Sequence, residues 1–229
     1  MSLTRIVPFL LLFAFCSCGD DGDSDAEVEI VNVLFANASP DAGDINVAIA
    51  GQQVVQALEF KSNTDYLGVE VTDNLVTLTI SAGGITLERE VELLGDHNTV
   101  IICDELQNLD MVVLVDRTLE TFVDTFTNTV NASWRLTNMS PNAPDITQGS
   151  SGFQDTETSN VIFKGTSGFK TASVTGNEFG AEISRTNGEL LVTARYAMDR
   201  GKVYTYYLVG FVDGTPELEL MRIGHTDAL

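Results

Sequence analysis

The strongest constraint on this chain is that part of it occurs twice. Asn37-Ala38-Ser39-Pro40-Asp41-Ala42-Gly43-Asp44-Ile45 returns, 101 residues later, as Asn138-Met139-Ser140-Pro141-Asn142-Ala143-Pro144-Asp145-Ile146. Weaker echoes follow in the same order. Tyr66 with Val71-Thr72 is matched by Phe169 with Val174-Thr175, and Asn98-Thr99-Val100 by Gly201-Lys202-Val203. A repeat of this length implies two copies of one structural plan, each closing its own core. The 229 residues suit two units of about 100 residues each.

Each copy reads as β-structure. Ile45, Val47 and Ile49 alternate with Asn46, Ala48 and Ala50, the period of a half-buried strand. Val76, Leu78 and Ile80 share a face, and Ile85, Leu87, Val91 and Leu93 follow beyond Gly83-Gly84. Gly51-Gln52, Asp73-Asn74 and Asp96-His97-Asn98 punctuate the first copy, and Asn187-Gly188, Asp199-Arg200-Gly201 and Asp213-Gly214 the second. Such residues tolerate tight turns. Short strands at this spacing predict an all-β chain of two tandem antiparallel β-sandwich domains, at 28–117 and 132–229. In the connecting segment 118–131, Leu119, Phe122, Val123 and Phe126 fall at helical spacing. A short amphipathic turn packed between the domains is expected there, with a partner-binding helix as the alternative.

Residues 1–17 read as a lipoprotein signal peptide. Arg5 supplies positive charge, and the apolar run from Ile6 to Phe15 is too short for the roughly 30 Å hydrocarbon core. Phe15-Cys16-Ser17-Cys18 is similar to the bacterial lipoprotein signal, which implies lipid attachment at Cys18; an ordinary secretory signal is the alternative. Residues 18–27 form an acidic lipidated tether, since Asp20, Asp21, Asp23, Asp25 and Glu27 repel one another and little can be buried. By analogy with proteobacterial lipoproteins, Gly19 favours anchoring to the outer membrane, on its periplasmic or surface side.

The folded part offers little for catalysis. The 33 acidic against 12 basic residues of the whole chain, net −21, argue against nucleic acid as a partner and against an anionic membrane surface. They fit a solvated face, cationic partners or divalent ions. Cys103 is the one cysteine beyond the tether, so no disulfide framework forms, and its apolar run predicts a small buried hydrophobe. His97 is expected in a hairpin turn and His225 in the C-terminal tail, too far apart in sequence for a paired-histidine zinc motif. No nucleophile elbow, phosphate loop or dinucleotide fingerprint is present. We expect no cofactor and no enzyme activity, with a carboxylate-based hydrolase as the alternative. Trp134, Tyr204, Tyr206, Tyr207 and Phe211 cluster in the second copy, Tyr204 and Tyr206 facing one way and Tyr207 the other. Tyr204 and Tyr206 are therefore candidates for stacking on a glycan, against the alternative that they fill the core.

In the repeated motif, Pro40 and Pro141 fix φ and push Ser39 and Ser140 to extended backbone. Asp41, Asp44, Asn142 and Asp145 can accept backbone N–H bonds and close the turn. Asp41 and Asp44 are also candidates for a calcium-type cation site, although Asn142 breaks that pair in the second copy. A strand, then Ser-Pro-Asp-Ala-Pro-x-x-Asp, then another strand resembles an uncharacterised bacterial domain-of-unknown-function family, over roughly Val28 to Ile223. Its members look like immunoglobulin-type sandwiches, often in tandem, in secreted proteins and lipoproteins, which implies an immunoglobulin-like fold here. This chain departs from the pattern at Asn37 and Asn138, where members commonly carry His, and at Gly43 and Asn142. No activity comes with the resemblance. The expected role is an envelope-anchored interaction or scaffolding module with a protein or glycan partner, the alternative being a calcium- or glycan-binding surface module.

Overall fold

The computed structural model describes residues 28–116, 123–124, 129–130, 132–149, 158–172 and 178–225. The predicted signal, the tether and Cys18 lie outside these residues.

Unit one contains β1 (Val28–Asn37), β2 (Ile45–Ile49), β3 (Gln52–Leu58), β4 (Leu67–Thr72), β5 (Leu75–Ala82), β6 (Ile85–Glu92), β7 (His97–Cys103) and β8 (Asp110–Val115). They form one sheet in the order β3-β2-β5-β4-β1-β7-β8, with β6 on β5. β4 and β5 share a single ladder pair, Thr72 with Leu75, across the Asp73-Asn74 turn. Both turn residues have positive φ, 51° and 62°, as a tight hairpin turn requires. The sheet folds over at this turn, laying β3-β2-β5-β6 on β4-β1-β7-β8.

A two-stranded ladder follows, β9 (Val123–Asp124) with β10 (Thr129–Val130). Of the residues that suggested a helical turn within 118–131, Val123 lies on β9, and Leu119, Phe122 and Phe126 lie outside the described residues. Unit two contains β11 (Ala132–Asn138), β12 (Ile146–Gly149), β13 (Thr158–Val161), β14 (Lys170–Ala172), β15 (Glu178–Arg185), β16 (Leu190–Ala197), β17 (Val203–Val209) and β18 (Glu219–His225). Its sheets run β14-β11-β17-β18 and β13-β12-β15-β16. Strand for strand, this is the order of unit one. The repeat in sequence is a repeat in topology, and the chain is all-β in two sandwich-like units.

Two expectations need correction. The sandwiches are not purely antiparallel: β1 runs parallel to β7, and β11 to β17. Side-chain alternation tells which face a residue takes but not which way its neighbour runs. The echo of Asn98-Thr99-Val100 in Gly201-Lys202-Val203 is also out of frame. His97 opposes Asn32 as Val203 opposes Ser133, so Val203 matches His97, and Tyr206 matches Val100. Unit two has a four-residue turn, 186–189, where unit one has two residues, 83–84, and the insertion shifts everything after it.

The parallel strands are the centre of both units because both their faces are buried. Val31, Val33 and Phe35 of β1, with Val100 and Ile102 of β7, enter the first core beside Val47, Leu78 and Ile80. Trp134 and Leu136 of β11, with Tyr204, Tyr206 and Leu208 of β17, enter the second beside Ile146 and Ile183. The intervening residues Leu34, Ala36, Ile101 and Cys103 face outward and meet Tyr207 and Val209, together with Met139 and Ile223, in a third cluster. Each sandwich thus keeps its own core, and a shared apolar layer joins the pair. Every residue of β11 and β17 is buried, in keeping with parallel strands covered on both sides. Trp134 has no exposed surface, so Trp134→Ala should cost about 3–5 kcal/mol, measured by urea unfolding.

Candidate functional site

The Ser-Pro-Asp motif is a clamp between loops. Asn37 Nδ2 donates to Gly43 O (3.0 Å) and Leu58 O (2.9 Å), and its Oδ1 accepts from Ser39 N (3.0 Å). Ser39 Oγ donates to Asp104 O (2.6 Å), tying the start of the β1–β2 connection to the β7–β8 loop. Unit two repeats this: Asn138 Nδ2 donates to Pro144 O and Val161 O, Ser140 N to Asn138 Oδ1, and Ser140 Oγ to Gly210 O. The buried amide needs two donors and an acceptor at once, which explains an asparagine in both copies.

Asp41 uses one carboxylate oxygen to accept from Leu106 N (2.7 Å). Its counterpart Asn142 accepts from Val212 N (2.8 Å) and also donates to Val212 O (3.0 Å). A neutral side chain does the same work, so an acceptor oxygen rather than a charge is what the position demands. Asp44 is exposed. Among the described residues, no group of three or more His, Cys, Asp or Glu could hold a metal ion.

The outward sheets of the two units meet in reciprocal contacts. Lys61 and Lys164 hold the same place in each copy, donating their backbone N–H to Asn37 O and Asn138 O. Lys61 pairs with Glu219 at the start of β18 (2.7 Å), and Lys164 pairs with Asp110 at the start of β8 (2.8 Å). Lys164 also reaches Asp104 (2.8 Å). Cys103 and Val209, Leu114 and Ile223, and Ala38 and Met139 are further matched pairs in the joining cluster. Contacts that map onto themselves when the units are exchanged are those of a two-fold, isologous interface. These ion pairs are partly exposed and contribute little stability.

One part of the junction is not symmetric. Arg135 stands on β11 where β1 has Leu34, and Asp116 follows β8 where β18 has His225. The Arg135 side chain is 4% exposed and the Asp116 side chain not at all; their Nη2 and Oδ1 form an ion pair. Arg135 Nη1 donates to Val115 O (2.7 Å), and Nε to Thr205 Oγ1 (2.9 Å). Thr205 Oγ1 lies 2.7 Å from His225 Nε2, and His225 Nδ1 lies 2.7 Å from Tyr66 OH. Tyr66 OH and Thr99 Oγ1 donate to Asp116 Oδ2, at 2.8 and 2.7 Å.

Proton counting assigns the histidine. Tyr66 has one proton, used on Asp116, so it accepts from His225 Nδ1–H. Nε2 is then the acceptor for Thr205, whose oxygen accepts from Arg135. The donors form a closed ring around a neutral His225. Burial pulls the His225 pKa from its ordinary 6.5 to about 4, against the opposing pull of Asp116. Burial also pulls the Arg135 guanidinium below its usual value, Asp116 opposing. The Tyr66 hydroxyl is raised by burial and then by the Asp116 charge.

The other predicted site residues fall elsewhere. Tyr204 is 4% exposed and Tyr206 fully buried; with Trp134 they pack in the second core and leave no free ring for a glycan. Arg222 sits 5.0 Å over the Tyr204 ring. Tyr207 points the opposite way, as expected, into the joining cluster. Cys103 is buried, and desolvation pushes its thiol up to about 12. His225 is no tail residue: it ends β18 inside the junction, and both histidine rings approach Tyr66, His97 edge-on at 5.0 Å. Sequence reading missed Tyr66, Asp116, Arg135 and Thr205. The available signal was a charged residue, Arg135, within a strand that carries no other charge.

Fold and site together define a fused pair of β-sandwich units held face to face. The chain belongs to the family described as Domain of unknown function (DUF4397), matched over residues 31–148. The match covers most of unit one and continues through the second copy of the motif. No curated protein matches the chain.

Asn37→Ala removes three bonds and should cost roughly 3 kcal/mol, whereas Asp41→Asn keeps the acceptor and should stay within about 0.5 kcal/mol, both by urea unfolding. His225 predicts an acid limb. Above 6.5 neither folded nor unfolded chain binds the proton; between 6.5 and about 4 only the unfolded chain does. Stability should therefore fall by roughly 3 kcal/mol over that window as pH drops. Urea melts at stepped pH should show His225→Gln flattening this limb; equal slopes in both proteins would contradict it.

Proposed function

We propose that the protein is an envelope-anchored, non-enzymatic lipoprotein presenting its two units as one interaction or scaffolding module. The observation that carries this reading is the reciprocal junction. A shared apolar layer and a closed polar ring spend the facing sheets of both units on each other, so partners must meet the loop ends and the remaining faces. The Tyr66–His225–Asp116 group has the elements of acid–base chemistry, but His225 is 1% exposed and its ring nitrogens are engaged. That favours a structural role over a hydrolytic one. Each unit is immunoglobulin-like in being two packed sheets with connections gathered at the ends. Its central parallel pair is a feature of its own.

In this reading Cys18 carries the lipid, 18–27 holds the units away from the bilayer, and the anchor lies in the outer membrane. The charge of −21 disfavours nucleic acid and leaves protein or glycan partners. Mass spectrometry of the mature N-terminus should find an acylated Cys18, and Cys18→Ala should move the protein from the membrane to the soluble fraction. An unmodified N-terminus on the native protein would refute the anchor. Cross-linking in intact envelopes tests the interaction role separately; recovery of the bare chain alone would count against it.

A further inference from the structure

The two units differ most at one end. In unit one the β5–β6 turn is two residues, 83–84, and the β7–β8 loop six, 104–109. Leu106 of that loop lies so close over Gly83 that a Cβ there would stand 2.6 Å from Leu106 Cδ2. Unit one plugs this end with its own leucine. In unit two the matching connections are four residues, 186–189, and nine, 210–218. Between them lies an open cleft of about 510 Å³, whose surface is mostly polar and whose apolar residues are the exposed Leu190 and the half-buried Leu191, Phe211, Val212 and Leu218. That volume lies within the usual range of ligand sites.

The wall of the cleft is built, not slack. Asn142 grips Val212 through both its N–H and its carbonyl, where Asp41, unable to donate, holds Leu106 through one bond. Phe211 N donates to Pro216 O (2.9 Å). Gly210 has φ +85°, and a Cβ on it would collide with the Glu217 carbonyl. The departure of the second motif from aspartate to asparagine thus coincides with a longer loop that needs a second tie. A preformed wall lowers the ordering cost of binding.

The rim is acidic. Glu189, Asp213 and Glu217 are exposed. Arg185, the cation on the lining, already pairs with Glu189 (3.0 Å). Asp213 and Glu217 therefore present uncompensated negative charge beside apolar surface. Lysine and arginine have the complementary form, an aliphatic stem with a cationic head. We propose that this cleft binds a short basic segment of a partner polypeptide, its stems lying on Leu190, Phe211 and Leu218 and its charges at Asp213 and Glu217.

The proposal rests on the interaction-module reading and specifies its site. The test is fluorescence anisotropy with the full chain in mild detergent and a labelled Lys-Leu-Lys-Leu-Lys-Leu peptide. Asp213→Asn with Glu217→Gln should weaken binding at least about tenfold, and raising salt from about 50 to about 500 mM should do likewise. The paired control Glu88→Gln with Glu90→Gln, on β6 of unit one, should change it by less than about twofold. Equal weakening by both pairs would mean diffuse attraction to an acidic protein and would overturn the cleft, leaving an interaction site elsewhere. Equal binding of a Glu-Leu peptide, or of a neutral oligosaccharide displaced by none of these changes, would overturn the basic ligand. No peptide binding at all would overturn the cleft, while envelope cross-linking would still decide the broader role.

Discussion

The structure depends on two pairs of parallel strands, β1 with β7 and β11 with β17, being buried on both faces. A strand covered on one side could be solvated on the other. Here the second side is taken by the opposite unit, so neither sandwich is complete as a water-facing object without its neighbour. Hydrophobic burial sets the strength of this arrangement, because Leu34, Ala36, Ile101 and Leu114 would otherwise face water beside Tyr207, Val209 and Ile223. The hairpins and loops hang from this centre, and the Asn-Ser clamp in each copy fixes where they emerge.

Apolar contact has little directional preference, and two similar sheets could slide past one another with modest loss. The polar ring removes that freedom. Burying the Arg135–Asp116 pair sacrifices hydration that mutual attraction only partly restores, so its net contribution to stability is small. Its bonds, however, are satisfied in one alignment: Arg135 must find Val115 O and Thr205 while Asp116 finds Tyr66 and Thr99. A shift by one residue would leave a buried charge without a partner, which costs far more than the pair contributes. The apolar layer supplies adhesion and the ring supplies registration.

Much of the fold was legible because its signals are local. The motif showed the duplication, alternation at Ile45, Val47 and Ile49 showed the strands, and Asp73-Asn74 showed a turn that the backbone adopts. What escaped depends on chain segments far apart. Strand direction leaves no mark on side-chain period, so the parallel pairs were hidden. Insertions in unit two misaligned the echo at Gly201-Lys202-Val203, and with it the partners of β17. His225 lies four residues before Leu229 and reads as tail, and Asp116 falls at the edge of the first predicted domain, where no pattern marks it. Their meeting is a property of the docked pair. The motif itself was readable as turn chemistry, whereas the open end of unit two needed both loops in place.

The matched positions across the junction have one more implication. Two separate copies of an identical chain, related by a two-fold axis, must make every off-axis contact twice, residue i on j and j on i. An arginine at the place of Arg135 would then stand at the place of Leu34 as well, and an aspartate at the place of Asp116 also at that of His225. Joining the copies on a single polypeptide released them from that rule. Leu34 is leucine where its counterpart is Arg135, and Asp116 is aspartate where its counterpart is His225. Covalent linkage therefore does more than raise local concentration: it permits an ion pair that is made once across the junction rather than twice.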